Sequence, residues 1–325
     1  MIFDVARHKF SEGLLTLLLF AVMAVATALS MSDIVAMEGG APLRGFIDNL
    51  SLSYPIASAL AMLLLVVYAG LRYSRAAVRV GIYSASSLAP VALSGGVIFA
   101  TVSAPDYLSL MVVVLLLSEV LGRLLYCFGA SMRMSFLFTA MLALGTMPLI
   151  DGALMPLVLA LPLIVIVMRG TLRETIITVV GVALPTFVYC YVVWLLGGEF
   201  NAAFADVWSL GNAVVQHAAV VEYLTIPRLV FLGVTLFVTV CSIILFWNVR
   251  VTLVDSVRAV WRLLITLQIM LVALLLLTPF ASPAVVVALL LVMTMMMPQL
   301  FIRVDVYTAT IVYLIWVVSA LATTI

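Results

Sequence analysis

The chain has 325 residues, of which 66% are hydrophobic and 9% are charged. Soluble domains carry roughly 25% charged residues, so this composition excludes an ordinary soluble protein. The net charge is +1 and no basic stripe with interleaved aromatic residues occurs, so we expect no nucleic acid among the partners. The 3 cysteines stand apart in or beside apolar runs, which is typical of buried thiols rather than of a disulfide framework.

Long uncharged runs predict transmembrane helices, because about 20 apolar residues cross the hydrocarbon core of a membrane. The first run is longer than the roughly 7–15 residues of a signal-peptide core, and we interpret it as a retained helix. In chain order the predicted spans are Gly13–Met31, Tyr54–Leu71, Tyr83–Val102, Tyr107–Phe128, Met134–Ile150, Ala153–Met168, Thr175–Leu196, Leu229–Trp247, two spans within Leu263–Ile302 that form a hairpin about Thr278–Pro283, and Tyr307–Thr324. The sequence thus predicts an all-α polytopic bundle of about 11 spans, with residues 1–325 as a single membrane domain.

The basic residues sort to one side of this predicted bundle. Of the 15 Lys and Arg residues, all but Arg44 and Arg228 fall on the side that holds the N-terminus. By the positive-inside rule this side is cytoplasmic, so the C-terminus is expected outside.

Two outer segments, Pro42–Leu52 and Glu199–Val221, carry apolar residues at helical spacing. Such amphipathic segments lie in the membrane interface, where they would roof a cavity at the outer face. The candidate substrate-binding residues at its rim are Arg44, Arg228, Glu38, His217 and Glu222. Arg44 and Arg228 would contact a phosphate on an outer-leaflet lipid. The alternative is that these side chains only anchor the segments in the interface.

Two carboxylates follow the outer ends of neighbouring spans. Asp33 comes directly after the first span, and Asp106 lies in the next outer turn. Paired carboxylates hold a divalent metal or act as a general base, so both residues are candidate catalytic groups. The alternative is that they are ordinary solvated loop acids.

The fourth span contains an acid and a base. Glu119 precedes Arg123 by one helical turn, in the order that favours an ion pair. Such a pair within the membrane either neutralises itself structurally or marks a proton or substrate pathway.

The stretch from Arg169 to Glu199 carries a family resemblance. A basic inner turn, the Arg173–Glu174 pair at the helix entry and the Gly181–Pro185 motif in mid-helix resemble a family of uncharacterised bacterial inner-membrane proteins. The topology of the first four spans is more distantly similar to the GT-C membrane glycosyltransferases. That similarity implies catalytic roles for the acids after the first span and in the second outer turn, and phosphate contacts for the two outer arginines. The first outer loop has no Asp-Glu pair and the second no Asp-x-Asp, unlike the GT-C pattern.

Two hypotheses follow for the function. The first is an enzyme that transfers sugar from a polyprenyl-phosphate carrier, or acts on a related lipid, at the outer leaflet of the bacterial inner membrane. The second is a non-enzymatic transporter, flippase or membrane assembly subunit. Membrane lipids are expected partners under both, and a divalent metal is a candidate cofactor under the first.

Overall fold

The computed structural model describes residues 41–80, 82, 89–101, 107–129, 134–169, 171–213, 224–250, 253–277 and 282–323. All regular secondary structure within these ranges is helical. The α-helices are α1 (Arg44–Ser53), α2 (Pro55–Val80), α3 (Ala89–Thr101), α4 (Tyr107–Gly129), α5 (Met134–Thr146), α6 (Met155–Arg169), α7 (Leu172–Leu195), α8 (Phe200–Ala213), α9 (Ile226–Val249), α10 (Asp255–Leu277), α11 (Pro283–Met296), α12 (Pro298–Arg303) and α13 (Val306–Ala322). Two 3-10 segments, Met147–Leu149 and Gly152–Leu154, join α5 to α6.

Of the described helices, 6 contain a stretch long and apolar enough to cross a membrane. They are α2, α4, α7, α9, α10 and α11 with its continuation into α12, and 3 shorter apolar stretches accompany them. The molecule is therefore an all-α, multi-pass membrane protein, as the sequence predicts. The span count of about 11 and the sidedness of the bundle stay predictions. The first predicted span, Gly13–Met31, lies outside the described residues.

Helix α11 forms the centre of the bundle. Every residue from Ala284 to Met296 is buried, and the helix packs against α3, α4, α9 and α10. A helix surrounded by protein has no polar face, which explains the almost wholly apolar sequence, including its methionines. The polar residue Thr294 donates its hydroxyl to the Leu291 carbonyl of the same helix. Helix α7 is just as apolar but only 22% buried, so its exposed side chains suit contact with lipid.

Helices α5 and α7 pack closely against each other at two glycines. A Cβ atom added to Gly145 would lie 2.3 Å from the Val182 carbonyl oxygen, and one added to Gly181 would lie 2.8 Å from the Met141 Cβ. Small residues let membrane helices pack backbone to backbone. The Gly181–Pro185 motif thus lies on the face of α7 that is buried, and it serves helix packing there.

Candidate functional site

A cluster of partly exposed polar side chains joins α2 to α4. Its members are Tyr68 and Arg72 on α2 and Glu119 and Arg123 on α4, and we call it the Glu119 cluster. Tyr68 and Arg72 are one turn apart, as are Glu119 and Arg123, so each helix presents two members on one face. Glu119 lies ten residues before the end of α4, which corresponds to about 15 Å along the helix axis.

The carboxylate of Glu119 accepts four hydrogen bonds. Its Oε1 accepts from the Tyr68 hydroxyl at 2.5 Å and from Arg72 Nε at 3.0 Å. Its Oε2 accepts from Arg72 Nη2 at 3.1 Å and from Arg123 Nε at 2.8 Å. Arg72 therefore binds the carboxylate through two parallel hydrogen bonds, the strongest and most directional arrangement for this pair.

The same two helices meet again seven residues further along. The guanidinium of Arg79 lies over the ring of Tyr126, with 4.9 Å between its central carbon and the ring centroid. Because both helices advance by seven residues from one contact to the next, α2 and α4 run parallel at this interface. The Glu119 cluster is consequently held by a helix interface and by its own hydrogen bonds.

The cluster carries an excess of positive charge. Arg72 and Arg123 contribute two positive charges and Glu119 one negative charge, and their side chains have relative exposures of 27%, 26% and 13%. No other acidic side chain of the described residues forms an ion pair with either arginine. Three guanidinium nitrogens donate no hydrogen bond to Glu119 and have no other acceptor among the described residues. They are Arg72 Nη1 and both Nη atoms of Arg123. Two guanidinium groups with donors to spare are chemically suited to bind a further anion.

Sequence reasoning found half of this cluster. The contact between Glu119 and Arg123 follows from their spacing on one helix, whereas Arg72 and Tyr68 are 47 and 51 residues away from Glu119 in the chain. A usable signal was present, since Tyr68 and Arg72 form a polar pair on one face of an otherwise apolar run.

Two helices and two 3-10 segments lie together at the predicted outer end of the bundle. Helix α1 and helix α8, the two predicted interfacial segments, lie at the same end of the bundle, around the 3-10 segments that follow α5. The Leu43 amide donates to the Leu149 carbonyl at 2.9 Å, and α8 packs against both 3-10 segments. Asp151 fixes the turn between them, because its Oδ1 accepts from the Ala153 amide at 2.9 Å.

The candidate residues of the outer face are described only in part. Arg44 lies in the first turn of α1, with its Nε 3.5 Å from the Oδ2 of the buried Asp48. Arg228 is half-buried in the first turn of α9, which packs against α11, α12 and α13. The other candidates lie outside the described residues, so their predicted convergence stays a prediction; they are Asp33, Glu38, Asp106, His217 and Glu222.

Another buried acid has a local structural role. Glu174 is the third residue of α7, and its amide donates to the hydroxyl of Thr171, the N-cap, at 3.4 Å. A Thr followed three residues later by Glu is the capping-box pattern, which stabilises a helix start. Across the described part of the chain, no group of three or more His, Cys, Asp and Glu side chains is placed to hold a metal ion.

The chain matches no known protein-family pattern, and no curated protein or solved structure is significantly similar to it.

Proposed function

We propose that this multi-pass membrane protein is a transporter or flippase for an anionic, lipid-linked substrate, of which a polyprenyl-phosphate carrier is the expected class. The observation that carries the proposal is the excess positive charge of the Glu119 cluster inside two candidate membrane spans. We place the protein in the inner membrane of a bacterium, on the strength of the sorting of its basic residues and of the family resemblance.

A purely structural ion pair explains this cluster less well than a substrate site. A structural pair is expected to neutralise itself, since an uncompensated charge among apolar helices is costly. Here a second arginine, Arg72, shares the single carboxylate with Arg123. The residual positive charge would bind an anionic group of a substrate that passes along α2 and α4.

The proposal is tested with purified protein reconstituted into vesicles that contain a fluorescent short-chain phosphatidic acid. Protein-containing vesicles should let an external quencher destroy nearly all of the fluorescence, because the protein moves the labelled lipid to the outer leaflet. Empty vesicles should lose about half. The double variant Arg72→Gln, Arg123→Gln should lose this activity.

The control for this experiment is Asp255→Asn. Asp255 pairs with Arg258 at the exposed start of α10, so the control alters an ion pair away from the Glu119 cluster. Equal quenching in protein-containing and empty vesicles, with correctly folded protein, would refute the transport proposal. Co-purified lipid, identified by mass spectrometry, would name the natural substrate.

A second candidate function is glycosyl transfer from a polyprenyl-phosphate-linked sugar at the outer leaflet. The observation in its favour is that α1 and α8 gather around the same 3-10 segments, with Arg44 on α1, as the roof of an outer cavity requires. The proposed catalytic acids are Asp33 and Asp106, with a divalent metal as a candidate cofactor.

This second candidate predicts that Asp33→Asn abolishes the activity while expression and folding persist, because an amide neither takes a proton nor carries charge to a metal. Arg44→Ala or Arg228→Ala should instead weaken substrate capture. Cell-surface glycan is measured in strains that carry each variant. Full activity of the double variant Asp33→Asn, Asp106→Asn would eliminate the enzyme hypothesis.

A further inference from the structure

We infer that Glu119 occupies an anion-binding site of its own protein, and that a phosphate group competes with the Glu119 carboxylate for Arg72 and Arg123. This inference deepens the proposed transport function, on which it rests for its physiological meaning. The recognised chemical group is a phosphate, and Glu119 is the residue that occupies the site in its absence.

The hydrogen-bond inventory shows why Glu119 behaves as an occupant of the site. A carboxylate offers about four lone-pair sites, and Glu119 uses them on two donors of Arg72, one of Arg123 and the hydroxyl of Tyr68. These donors come from both helices and converge on one small anion. The same donors would converge on any other anion placed there.

Charge favours phosphate as the competing group. The carboxylate brings one negative charge to two guanidinium groups, so the cluster stays positive. A phosphate monoester carries about −1.5 to −2 at neutral pH and offers three acceptor oxygens. It therefore neutralises both arginines, and its additional oxygen can use the Nη donors that Glu119 leaves unspent. Arginine binds phosphate with the same two-pronged geometry that Arg72 shows toward Glu119.

Access to the cluster favours exchange at this position. The side chains of Arg72 and Arg123 are about twice as exposed as that of Glu119, with values of 27% and 26% against 13%. An incoming group thus reaches the guanidinium groups from their open side. Tyr68, whose side chain is also exposed, borders the same side.

Removal of the Glu119 carboxylate should raise the affinity of the site for phosphate. In Glu119→Gln the two arginines lose their internal anion, so phosphate should bind about tenfold more tightly, as expected for the loss of a competing charged hydrogen-bond partner. Arg72→Gln should weaken binding by a similar factor. A merely structural Glu119 would give the opposite result, because its loss would loosen the interface and leave binding unchanged or weaker.

The measurement is isothermal titration calorimetry on the purified full chain in detergent. The titrants are inorganic phosphate, dioctanoyl phosphatidic acid and, as an uncharged lipid, dioctanoylglycerol. If Glu119→Gln binds only phosphatidic acid more tightly than the wild type does, the site is assigned to a lipid headgroup. If it binds phosphatidic acid and inorganic phosphate more tightly to equal extents, the site is assigned to the free anion. Tighter binding of dioctanoylglycerol would overturn the inference, since the lipid chains alone would then explain the effect.

Two further variants protect the test from a folding failure. Asp255→Asn removes a carboxylate from an exposed ion pair and should leave phosphate affinity unchanged. Glu119→Asp shortens the competing side chain by one methylene while all four donors stay in place, so it should tighten phosphate binding by about two- to threefold and serves as the second variant if Glu119→Gln does not fold. Unchanged or weaker binding in the folded variant would overturn the inference. Lipid transport by the wild type would in that case still stand, and phosphate binding without transport would refute only the proposed function.

Discussion

Arg72 and Glu119 join two parallel helices through a pair of hydrogen bonds, from Nε to Oε1 at 3.0 Å and from Nη2 to Oε2 at 3.1 Å. Because the two residues stand on different helices, this contact positions α2 relative to α4. Arg123 supports it from the next turn of α4.

The first prediction concerns the stability of this contact. Glu119→Gln should lower the free energy of unfolding by about 1–3 kcal/mol, because both guanidinium groups lose a charged acceptor at a partly exposed site. The variant that also carries Arg72→Gln and Arg123→Gln should lose less, since no charge is then left without a partner. Thermal unfolding in detergent measures both. Equal losses in the single and triple variants would show that the three charges are not coupled.

The second prediction concerns the packing of α5 on α7. Gly145→Ala should destabilise the protein by about 1–3 kcal/mol, because its Cβ would lie 2.3 Å from the Val182 carbonyl oxygen. Gly233 on α9 has no such neighbour, so Gly233→Ala should be neutral or stabilise by up to about 1 kcal/mol. Both variants are compared with the wild type by thermal unfolding. A stabilising Gly145→Ala would show that the two helices are further apart.

The third prediction concerns topology. A reporter enzyme fused after Ile325 should behave as external, and reporters fused near Arg79 or Arg258 should behave as cytoplasmic, because the basic residues favour the inner side. Paired reporters, one active outside and one inside the membrane, make the measurement. A cytoplasmic C-terminus would overturn the count of about 11 spans, which requires an odd number.

The fourth prediction concerns pH and the start of α13. Asp305 is the N-cap of this helix and accepts from the Thr308 hydroxyl at 2.8 Å and from the Thr308 amide at 3.3 Å. These hydrogen bonds, the one from the hydroxyl first, lower the pKa of Asp305 below its usual value. The stabilisation is therefore fully present above the unfolded-state pKa of about 3.9 and is lost as the pH falls through the lower folded-state pKa.

This fourth prediction is checked with two variants. Asp305→Ala should lower the melting temperature at pH 7, and the deficit should shrink as the pH falls below about 4. Asp305→Asn keeps a capping side chain that does not titrate, so its melting temperature should stay close to that of the wild type at pH 7. A deficit of Asp305→Ala that is the same at pH 7 and pH 3 would argue against a charged cap.

The class of fold was predictable from the sequence, because the cost of burying backbone in lipid forces long apolar helices. The helix that carries Glu119 begins at Tyr107 and ends at Gly129, close to the predicted Tyr107–Phe128. The ends of others were less predictable. Helix α2 continues to Val80, nine residues past the last predicted residue, Leu71, because the basic stretch that follows Leu71 remains helical. The charged residues after Leu71 end the apolar run, but they do not end the helix.

The site was less predictable than the fold. Spacing along one helix relates Glu119 to Arg123, but nothing in the sequence states which helix faces α4. The contact with Arg72 depends on the parallel packing of α2 and α4, and that packing is a property of the assembled bundle. The outer candidates Asp33 and Asp106 rest on topology alone, and their predicted proximity stays untested.

The central position of α11 has a consequence for biosynthesis. Helices α3 and α4 leave the ribosome more than 150 residues before α11, which later packs against both of them. Their inner faces must stay separable in the membrane until the C-terminal third of the chain has been synthesised. A chain that stopped before Pro283 would lack the helix that fills its centre. The centre of the bundle is therefore packed only after most of the chain has been synthesised.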